Sequence, residues 1–374
     1  MLVIQLLLWI AIGIVIYTFF GYALLLGLLA RFFSRPVKQA EITPSVALFI
    51  PAYNEETVIA AKIQNSLALD YPPDALGIAL VTDGSNDRTL EIAGQYRSER
   101  VKIFHQPERR GKIAAVNRVM PKITQEIVIF SDANAMLDAG AIKSIVRNFA
   151  DPEVGGVAGE KRVLSGGEGL YWRYESFLKR CDSAFSSVMG AAGELFAIRR
   201  EVFIAPETDS IIEDFVMSMR LVGQGWRVVY EPEAVVREDA SPSLRGDWQR
   251  RTRIAAGGFQ SIVRLPQLLN PALGRIVWQY VSHRVFRWAL TPFLLPLIYG
   301  LNLLILSIPI YRWLLAGQTL FYAAALLGYA LALKGRRRGI FYATFYFCFS
   351  NAAALPGFWR YITNSQPVTW VKVR

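Results

Sequence analysis

The sequence VIFSDANAM (residues 128–136) runs from apolar residues into a polar cluster that contains Asp132 and Asn134. Residues two positions apart in a strand point to the same side, so this carboxylate and this amide oxygen can face one ligand. Oxygen atoms of this kind are the ligands that a divalent cation such as Mg²⁺ prefers. A site for a metal–diphosphate more often has two carboxylates, and the amide at position 134 therefore needs an explanation.

Three other apolar runs are also followed by polar residues. PAYNE (51–55) follows SVALFI, DGSND (83–87) follows GIALVT, and RRGK (109–112) comes after VKIFH. The basic groups of the third segment are suited to phosphate oxygens. An Asp after a strand is often only a turn or capping residue, and we assign Asp87 to capping because it opens a helix. Four polar ends that meet at one edge favour a ligand site.

The elements that must position these residues alternate along the chain. Strands are predicted at residues 45–50, 77–82, 101–105 and 127–130, and helices over 56–69 and 88–98 and from about 113 and 139. Strands interleaved with helices of this length indicate βαβ units and a mainly parallel sheet. Ligands of such sheets bind at the carboxyl ends of the strands, where the polar residues lie.

Apolar residues are concentrated at the two ends of the 374-residue chain, which is 53% hydrophobic. Four runs contain no charged residue, and each is long enough to cross a bilayer as a helix, which takes ~20 residues. They cover residues 2–30, 288–310, 313–333 and 339–359. Because the first basic residue, Arg31, follows the first run, we expect a retained transmembrane helix there rather than a cleaved signal peptide.

Basic residues beside these runs predict their orientation. Arg31, Arg35 and Lys38 follow the first run, which places the N-terminus outside and residues 39–284 in the cytoplasm. The basic residues of 334–338, Arg338 among them, belong inside as well, which suits an in-to-out and an out-to-in crossing before them. The last run either spans or, with Pro356, is re-entrant or interfacial, and the side of the tail with Lys372 and Arg374 depends on this choice.

The predicted organisation is that of a multi-pass protein of the cell membrane with a cytoplasmic catalytic domain. It comprises an N-terminal transmembrane helix (1–31), a cytoplasmic α/β domain (32–245), basic interfacial helices (246–285) and a membrane region with two or three transmembrane helices (286–374). The net charge of +11 comes without zinc-finger spacing or an aromatic RNA-binding motif, so we exclude a nucleic-acid partner and expect anionic lipid or a polyanionic substrate. Two histidines exclude a histidine-rich metal site.

Seven segments occur in a fixed order: PAYNE, VTDGSNDRT, RRGKIAAVN, FSDAN, GAAGELFAIRR, IIEDFVMSMRLVGQGWRVVYEPEA and QRRTRIAAGG. The ordered set resembles the membrane-bound family 2 glycosyltransferases, relatives of cellulose and hyaluronan synthases, over roughly residues 45 to 260. The resemblance implies an α/β GT-A fold, which is Rossmann-like. It also implies transfer of a sugar from a nucleotide-diphosphate sugar, with a UDP-sugar favoured, and inversion at the anomeric carbon.

By this resemblance, Ala52, Tyr53 and Glu55 line the nucleoside pocket, Asp83 binds the base or ribose, and Lys112 lies near the diphosphate. Asp132 and Asn134 occupy the position of the family's metal-binding Asp-x-Asp. Departure of the diphosphate builds negative charge, which a cation and fixed basic groups stabilise. Because Asn134 adds no charge, we expect Mg²⁺ or Mn²⁺ to be held weakly and to arrive mostly with the donor, with Arg109, Arg110, Lys112, Arg250 or Arg253 sharing the neutralisation.

An attacking hydroxyl needs a base on the face opposite the leaving group, because a single displacement inverts. The family places an Asp of a Thr-Glu-Asp motif there, and the corresponding residues are Ile212, Glu213 and Asp214. The resemblance makes Asp214 the base and Glu213 its catalytic neighbour. Alternatively, the two acids only open the helix over residues 215–222, where acids are favoured.

Two further segments resemble parts of the family's acceptor side. In GAAGELFAIRR, Gly193 would let a sugar approach the backbone and Glu194 would hydrogen-bond a sugar hydroxyl, with a plain turn as the alternative. In QRRTRI, Arg250 and Arg253 are expected diphosphate contacts, or part of a basic helix on the membrane surface. Ile254 replaces a Trp that stacks on the acceptor in processive synthases, which weakens the case for a polymerising enzyme, although Trp248 is nearby.

The favoured function is an inverting glycosyltransferase that acts at the cytoplasmic membrane face on a hydroxyl of a glycan or lipid-linked acceptor, in extracellular polysaccharide or envelope glycan synthesis. A transferase to polyprenyl phosphate is one alternative, and it would need no base because its acceptor is already ionised. A catalytically inactive membrane scaffold is another. A second copy of the chain or export machinery stays open as a partner.

Overall fold

The structure is a computed structural model and describes residues 1–163, 169–238, 243–337 and 339–369. Arg338, Lys372 and Arg374, which enter the sequence argument on topology, lie outside these ranges. The strands are β1 Val46–Ala52, β2 Leu76–Asp83, β3 Val101–Gln106, β4 Ile127–Phe130, β5 Met136–Leu137, β6 Val154–Val163, β7 Phe196–Arg199 and β8 Arg227–Glu238.

Most helices flank this sheet or lie at the two ends of the chain. They are α1 Leu2–Ile16, α2 Tyr22–Phe32, α3 Ile59–Leu67, α4 Thr89–Gly94, α5 Lys112–Val119, α6 Ala141–Val146, α7 Gly169–Phe185, α8 Glu213–Gly223, α9 Leu244–Arg264, α10 Arg275–Tyr280, α11 Thr291–Leu303, α12 Pro309–Leu333, α13 Gly339–Ala352 and α14 Ala354–Ile362. π-Helical turns at Tyr17–Gly21 and Val281–Leu290 join α1 to α2 and α10 to α11.

The described strands form one mixed sheet in the order β3-β2-β1-β4-β7-β6-β8-β5. The pairs β3–β2, β2–β1, β1–β4 and β6–β8 are parallel, whereas β7 and β5 are antiparallel to their neighbours. Ala52 lies opposite Thr82, and Asp83 opposite Gln106, so three strands end side by side. The expectation of a mainly parallel sheet is confirmed, and the first four strands and helices lie within a few residues of their predicted positions.

Both faces of the sheet are covered, which explains why β1 reads as an almost continuous apolar run. Ala47 and Phe49 belong to one buried apolar cluster, and Leu48 and Ile50 belong to the cluster on the other face. This alternation is the two-residue period of a strand. The strand ends are thereby fixed on a rigid platform, from which the polar residues project.

Two helical segments of the described chain are long and apolar enough to cross a membrane, Leu2–Phe32 and Pro309–Leu333. Within the uncharged run at 288–310, α11 ends at Leu303 and the next helix, α12, begins only at Pro309. The run at 339–359 is divided at Ala353 into α13 and α14. Pro356 has no N–H with which to continue the bonding of α13, which accounts for the break. The run at 339–359 is therefore interrupted within its helical structure rather than formed by one regular helix.

Candidate active site

One cleft at the carboxyl ends of β1, β2 and β4 brings together most of the predicted donor-binding residues. Its lining includes Ala52, Tyr53, Glu55, Asp83, Arg109, Lys112, Asp132, Asn134, Glu213 and Arg253. These residues come from segments far apart in sequence, and they meet because parallel strands end at the same edge. Val368 and Thr369, near the end of the described chain, also line this cleft.

Asp83 holds the basic loop against the end of β2. Its carboxylate accepts hydrogen bonds from the backbone N–H of Arg110 at 3.0 Å and of Gly111 at 2.6 Å. The next residue, Gly84, has a φ of 67°, and a Cβ there would lie 2.4 Å from the backbone nitrogen of Arg109. Asp83 was expected to bind the base or ribose, and here its carboxylate positions the loop that faces the cleft.

Arg109 and Tyr53 form a wall of the same cleft. The Arg109 guanidinium lies 3.8 Å from the centre of the Tyr53 ring. A guanidinium over an aromatic face is favoured electrostatically. The backbone N–H of Glu55 donates to Thr89 Oγ1 at 2.7 Å, which ties the end of β1 to the start of α4.

Lys112 lies at the centre of the acidic groups. Its Nζ is 2.8 Å from Asp132 Oδ1 and 3.1 Å from Glu213 Oε1. Burial opposes the ammonium charge, but Asp132, Glu213 and Asp214 outweigh it and raise the pKa of Lys112. This lysine is therefore a fixed cation beside two carboxylates at the first residue of α5.

Glu213 and Asp214 are adjacent at the start of α8 and have opposite electrostatics. Burial disfavours the charge of Glu213, but Lys112 and Arg253 outweigh it and lower its pKa. Burial and the charge of Glu213 raise the pKa of Asp214 to about 6, although Lys112 acts against this shift. Asp214 Oδ2 accepts from the backbone N–H of Gly193 at 2.7 Å, and Oδ1 accepts from its neighbour Phe215 at 2.8 Å.

The predicted acceptor residues lie directly beside this pair. A Cβ at Gly193 would lie 2.8 Å from Lys112 Nζ and 3.5 Å from Asp214 Oδ2, so the glycine allows the backbone to approach both groups. Glu194 forms ion pairs with Lys161 at 2.6 Å and Arg250 at 3.5 Å. Despite burial, these two cations lower the pKa of Glu194, and it is anionic.

A buried lysine of α3 binds the segment that carries Asp132 on both sides of this residue. Lys62 on α3 donates from Nζ to Ser131 Oγ at 2.8 Å and to the carbonyl of Ala135. Burial lowers the pKa of Lys62 to about 7, and the charge of Asp132 opposes this shift. On the other side, Asn134 Nδ2 donates to Glu238 Oε1 at 2.6 Å.

The basic helix α9 contributes to the cleft through one face. Arg253 lies 3.8 Å from Glu213 and donates to the carbonyl of Ile211 at 2.6 Å. Ile254 packs against the apolar core, and Trp248 contacts the Phe349 ring at a centroid distance of 5.1 Å. The position of the family's acceptor-stacking Trp therefore holds a partly buried aliphatic residue that packs against the core.

The described residues include no group of three or more His, Cys, Asp or Glu side chains that could hold a metal ion alone. The donor set at the cleft is the Asp132 carboxylate and the amide of Asn134. Mg²⁺ is commonly held by one or two carboxylates together with substrate phosphates. The donor set thus fits a cation that takes its remaining ligands from a diphosphate.

Several residues of the site were not predicted. Lys62 lies in the buried stripe of α3 with Ile59, Ile63 and Ser66, a helical spacing that the sequence does contain. Lys161 and Glu238 meet through the β6–β8 pairing, for which the sequence offered no local signal. The same holds for Val368 and Thr369, which reach the cleft from the far end of the chain.

A family model described as "Glycosyltransferase like family 2" matches residues 44–257. The chain belongs to this family. Curated proteins similar to this family 2 glycosyltransferase include "Poly-beta-1,6-N-acetyl-D-glucosamine synthase" of Staphylococcus aureus (strain COL), 28% identical over 231 residues, or 59% of this chain and 56% of the relative. The chain thus spans just over half the length of that synthase. "Probable glycosyltransferase YdaM" of Bacillus subtilis (strain 168) is 24% identical over 337 residues, or 83% of this chain and 80% of the relative.

Among solved structures, the family 2 glycosyltransferase is similar to the mannosyltransferase PcManGT from Pyrobaculum calidifontis, which was solved in complex with GDP-Man and Mn²⁺. The similarity has a TM-score of 0.73 at 25% identity and covers 96% of this chain and 100% of that one. The expected GT-A fold and the expected enzyme class are confirmed.

Proposed function

We propose that this glycosyltransferase is a membrane-bound, inverting enzyme. It transfers a sugar from a nucleotide-diphosphate sugar in the cleft to a hydroxyl of a glycan or lipid-linked acceptor at the cytoplasmic face. One observation carries the proposal. At a strand-end cleft, Lys112 Nζ lies 2.8 Å from Asp132 and 3.1 Å from Glu213. Next to Glu213 in sequence is Asp214, a carboxyl group whose pKa is raised.

In this proposal, the donor diphosphate lies at the Lys112–Asp132 side of the cleft. Lys112, Arg109 and Arg253 face the charge that develops on the leaving group, where fixed cations in a partly buried site are most effective. Asp132 and the amide of Asn134 hold Mg²⁺ or Mn²⁺, which supplies further charge stabilisation when it is bound.

Asp214 accepts the proton of the attacking hydroxyl. A general base is most effective when its pKa is close to the working pH, and the raised pKa of Asp214 moves it in that direction. Gly193, Glu194 and Arg250 lie on the same side as Asp214, and we assign the acceptor to that side. The backbone N–H of Gly193 donates to Asp214 Oδ2, so the backbone at Gly193 lies directly beside the proposed base.

Exposed apolar side chains along the two long helices support the membrane location. Leu24 in the first segment is 70% exposed, as is Leu320 in α12. Side chains of this kind are stable in lipid, whereas in water they leave a large apolar surface. Arg31, Arg35 and Lys38 support a cytoplasmic position for the catalytic domain.

The test is turnover of a panel of UDP- and GDP-sugars by the purified full chain in the presence of candidate acceptors, read as release of nucleoside diphosphate and as product. NMR of the product's anomeric carbon tests inversion. We expect Asp214→Asn to lower kcat by about 10²-fold or more, the usual range for a lost general base. Asp74→Asn, an exposed acid far from the cleft at the other end of β2, is the control and should match wild type.

Equal, slow nucleotide release by wild type and Asp214→Asn would refute the enzymatic role of the site. Full transfer by Asp214→Asn would instead point to an acceptor that needs no base, such as polyprenyl phosphate.

A further inference from the structure

The Asn134 amide is bonded to a carboxylate that the sequence motif does not contain. Asn134 Nδ2 lies 2.6 Å from Glu238 Oε1, the last residue of β8 and 104 positions further along the chain. An ionised carboxylate only accepts hydrogen bonds, so it can face the NH₂ of the amide but not its oxygen. This contact fixes which end of the amide points to Glu238 and turns the oxygen away from it.

Glu238 is itself held in place by a buried cation. Its second oxygen forms an ion pair with Lys161 Nζ, and the side chains of Lys161 and Glu238 are only 6% and 17% exposed. Lys161 also binds Glu194 at 2.6 Å, and Arg250 approaches Glu194 at 3.5 Å. A chain of ion pairs thus runs from Glu238, the partner of Asn134, through Lys161 and Glu194 to Arg250. The contact with Lys161 holds the Glu238 carboxylate in a fixed position beside Asn134.

We propose that Glu238 is a positioning residue for the cation–diphosphate loop, and that its carboxylate is the reason for an amide rather than a second acid at position 134. The proposal rests on the proposed function, since it assumes that Asp132 and Asn134 face a metal-bound donor. An Asp at position 134 would have no N–H to donate to Glu238 and would bring two carboxylates with like charges into contact.

The family's second acid is therefore displaced rather than lost. The carboxylate of Glu238 lies behind Asn134, one side chain further from the cleft, and is neutralised by Lys161. By binding the NH₂ of the Asn134 amide, Glu238 directs the amide oxygen to the cleft. Because Lys161 also binds Glu194, the same buried cation connects the donor loop to the predicted acceptor side.

Four forms of the full chain test this proposal: wild type, Asn134→Asp, Glu238→Gln and the double variant. Two measurements need no turnover. One is the thermal unfolding midpoint without metal, and the other is the Mn²⁺ dissociation constant measured by EPR with UDP or GDP present. Glu233→Gln is the matched control, since Glu233 is a 65% exposed acid of the same strand and pairs with Arg147 at the surface.

We expect Asn134→Asp to lower the unfolding midpoint and weaken Mn²⁺ binding, although it adds a carboxylate to the motif. Glu238→Gln alone should weaken Mn²⁺ binding because the amide is no longer oriented. The double variant should recover the unfolding midpoint of wild type. It should also bind Mn²⁺ at least about fivefold more tightly than expected if the two single substitutions acted independently, as for other residues in direct contact. The control should match wild type.

Additive effects of the two substitutions, or tighter Mn²⁺ binding by Asn134→Asp alone, would overturn the proposal. So would a wild-type chain that binds nucleotide but no Mn²⁺. Failure of the proposed function would have a different signature, namely coupled effects on Mn²⁺ and stability in a protein that transfers no sugar from any donor.

Discussion

Glu213 and Asp214 show how one helix start can prepare two carboxylates for different roles. Glu213 lies against Lys112 and Arg253, which lower its pKa against the effect of burial, whereas burial and the neighbouring charge of Glu213 raise the pKa of Asp214 to about 6. Neighbouring acids whose pKa values are moved apart are a common sign of an acid–base site. The ion pair of Glu213 fixes Lys112, and the protonation state of Asp214 can respond to pH.

The first prediction is a pH dependence that belongs to Asp214. The base must be ionised to accept a proton, and its raised pKa means that the neutral acid accumulates as the pH falls through about 6. The kcat/KM, which reports the free enzyme, should therefore be level above this pH and fall about tenfold for each pH unit below it.

Asp214→Asn should remove this acid limb and leave a low, flat profile, while Asp74→Asn should retain the wild-type limb. A wild-type profile that stays level from pH 8 down to pH 4.5 would contradict the role of Asp214 as base.

At the scale of elements, the loop at 109–111 depends on the end of β2. Asp83 binds two backbone N–H groups of this loop, and Gly84 at a φ of 67° lets the loop approach. A side chain at Gly84 meets the backbone of Arg109, which cannot move aside as a flexible side chain can. The close approach in turn sets the position of the guanidinium over Tyr53.

Gly84→Ala should therefore destabilise the protein by about 1–3 kcal/mol, the usual cost of a strained backbone position. It should also raise the Kd for the nucleotide, because the Arg109 loop is displaced. Unfolding in denaturant and nucleotide titration measure the two effects. Gly94→Ala is the control, since Gly94 ends α4 with nothing within 4 Å of an added Cβ, and it should be neutral or slightly stabilising. Equal effects of the two substitutions would refute the close approach.

The elements differ in how far the sequence predicts them, for a physical reason. The strand ends at Asp83 and Asp132 were predictable because each follows an apolar run, and parallel strands bring their ends together. The partner of Asn134 was not, because Glu238 reaches it through β8, whose pairing with β6 depends on contacts between distant segments. The role of Asn134 could be stated from the sequence only as a missing charge.

At the scale of the whole molecule, the terminal helices contact each other at both ends. Trp9 Nε1 donates to Tyr311 at 3.3 Å near the start of the chain, and Arg275 donates to the carbonyl of Phe33 at 3.0 Å at the other end of the first helical segment. Leu8 packs in one cluster with Ile298 and Ile305. The helical stretch from Arg275 to Leu303 therefore runs antiparallel to Leu2–Phe32 over much of its length.

This arrangement predicts the topology of α12. If Leu2–Phe32 crosses the membrane with its N-terminus outside, the antiparallel stretch returns the chain to the outer side near Tyr311, and α12 crosses inward. The basic residues after α12, among them Lys334 and Arg336, then lie in the cytoplasm as the positive-inside rule requires. A chain in which only Leu2–Phe32 and α12 crossed would place these basic residues outside.

Cysteine labelling in intact cells distinguishes the two topologies. In a background with Cys181 and Cys348 replaced, Arg312→Cys should react with a membrane-impermeant maleimide, while Arg336→Cys should react only after permeabilisation. Both positions are exposed at opposite ends of α12, so each serves as the control for the other. The reverse pattern would show that α12 crosses outward and that the stretch before it stays on the cytoplasmic side. Labelling of both positions in intact cells would show that both ends of α12 lie on the outer side and that α12 does not cross the membrane.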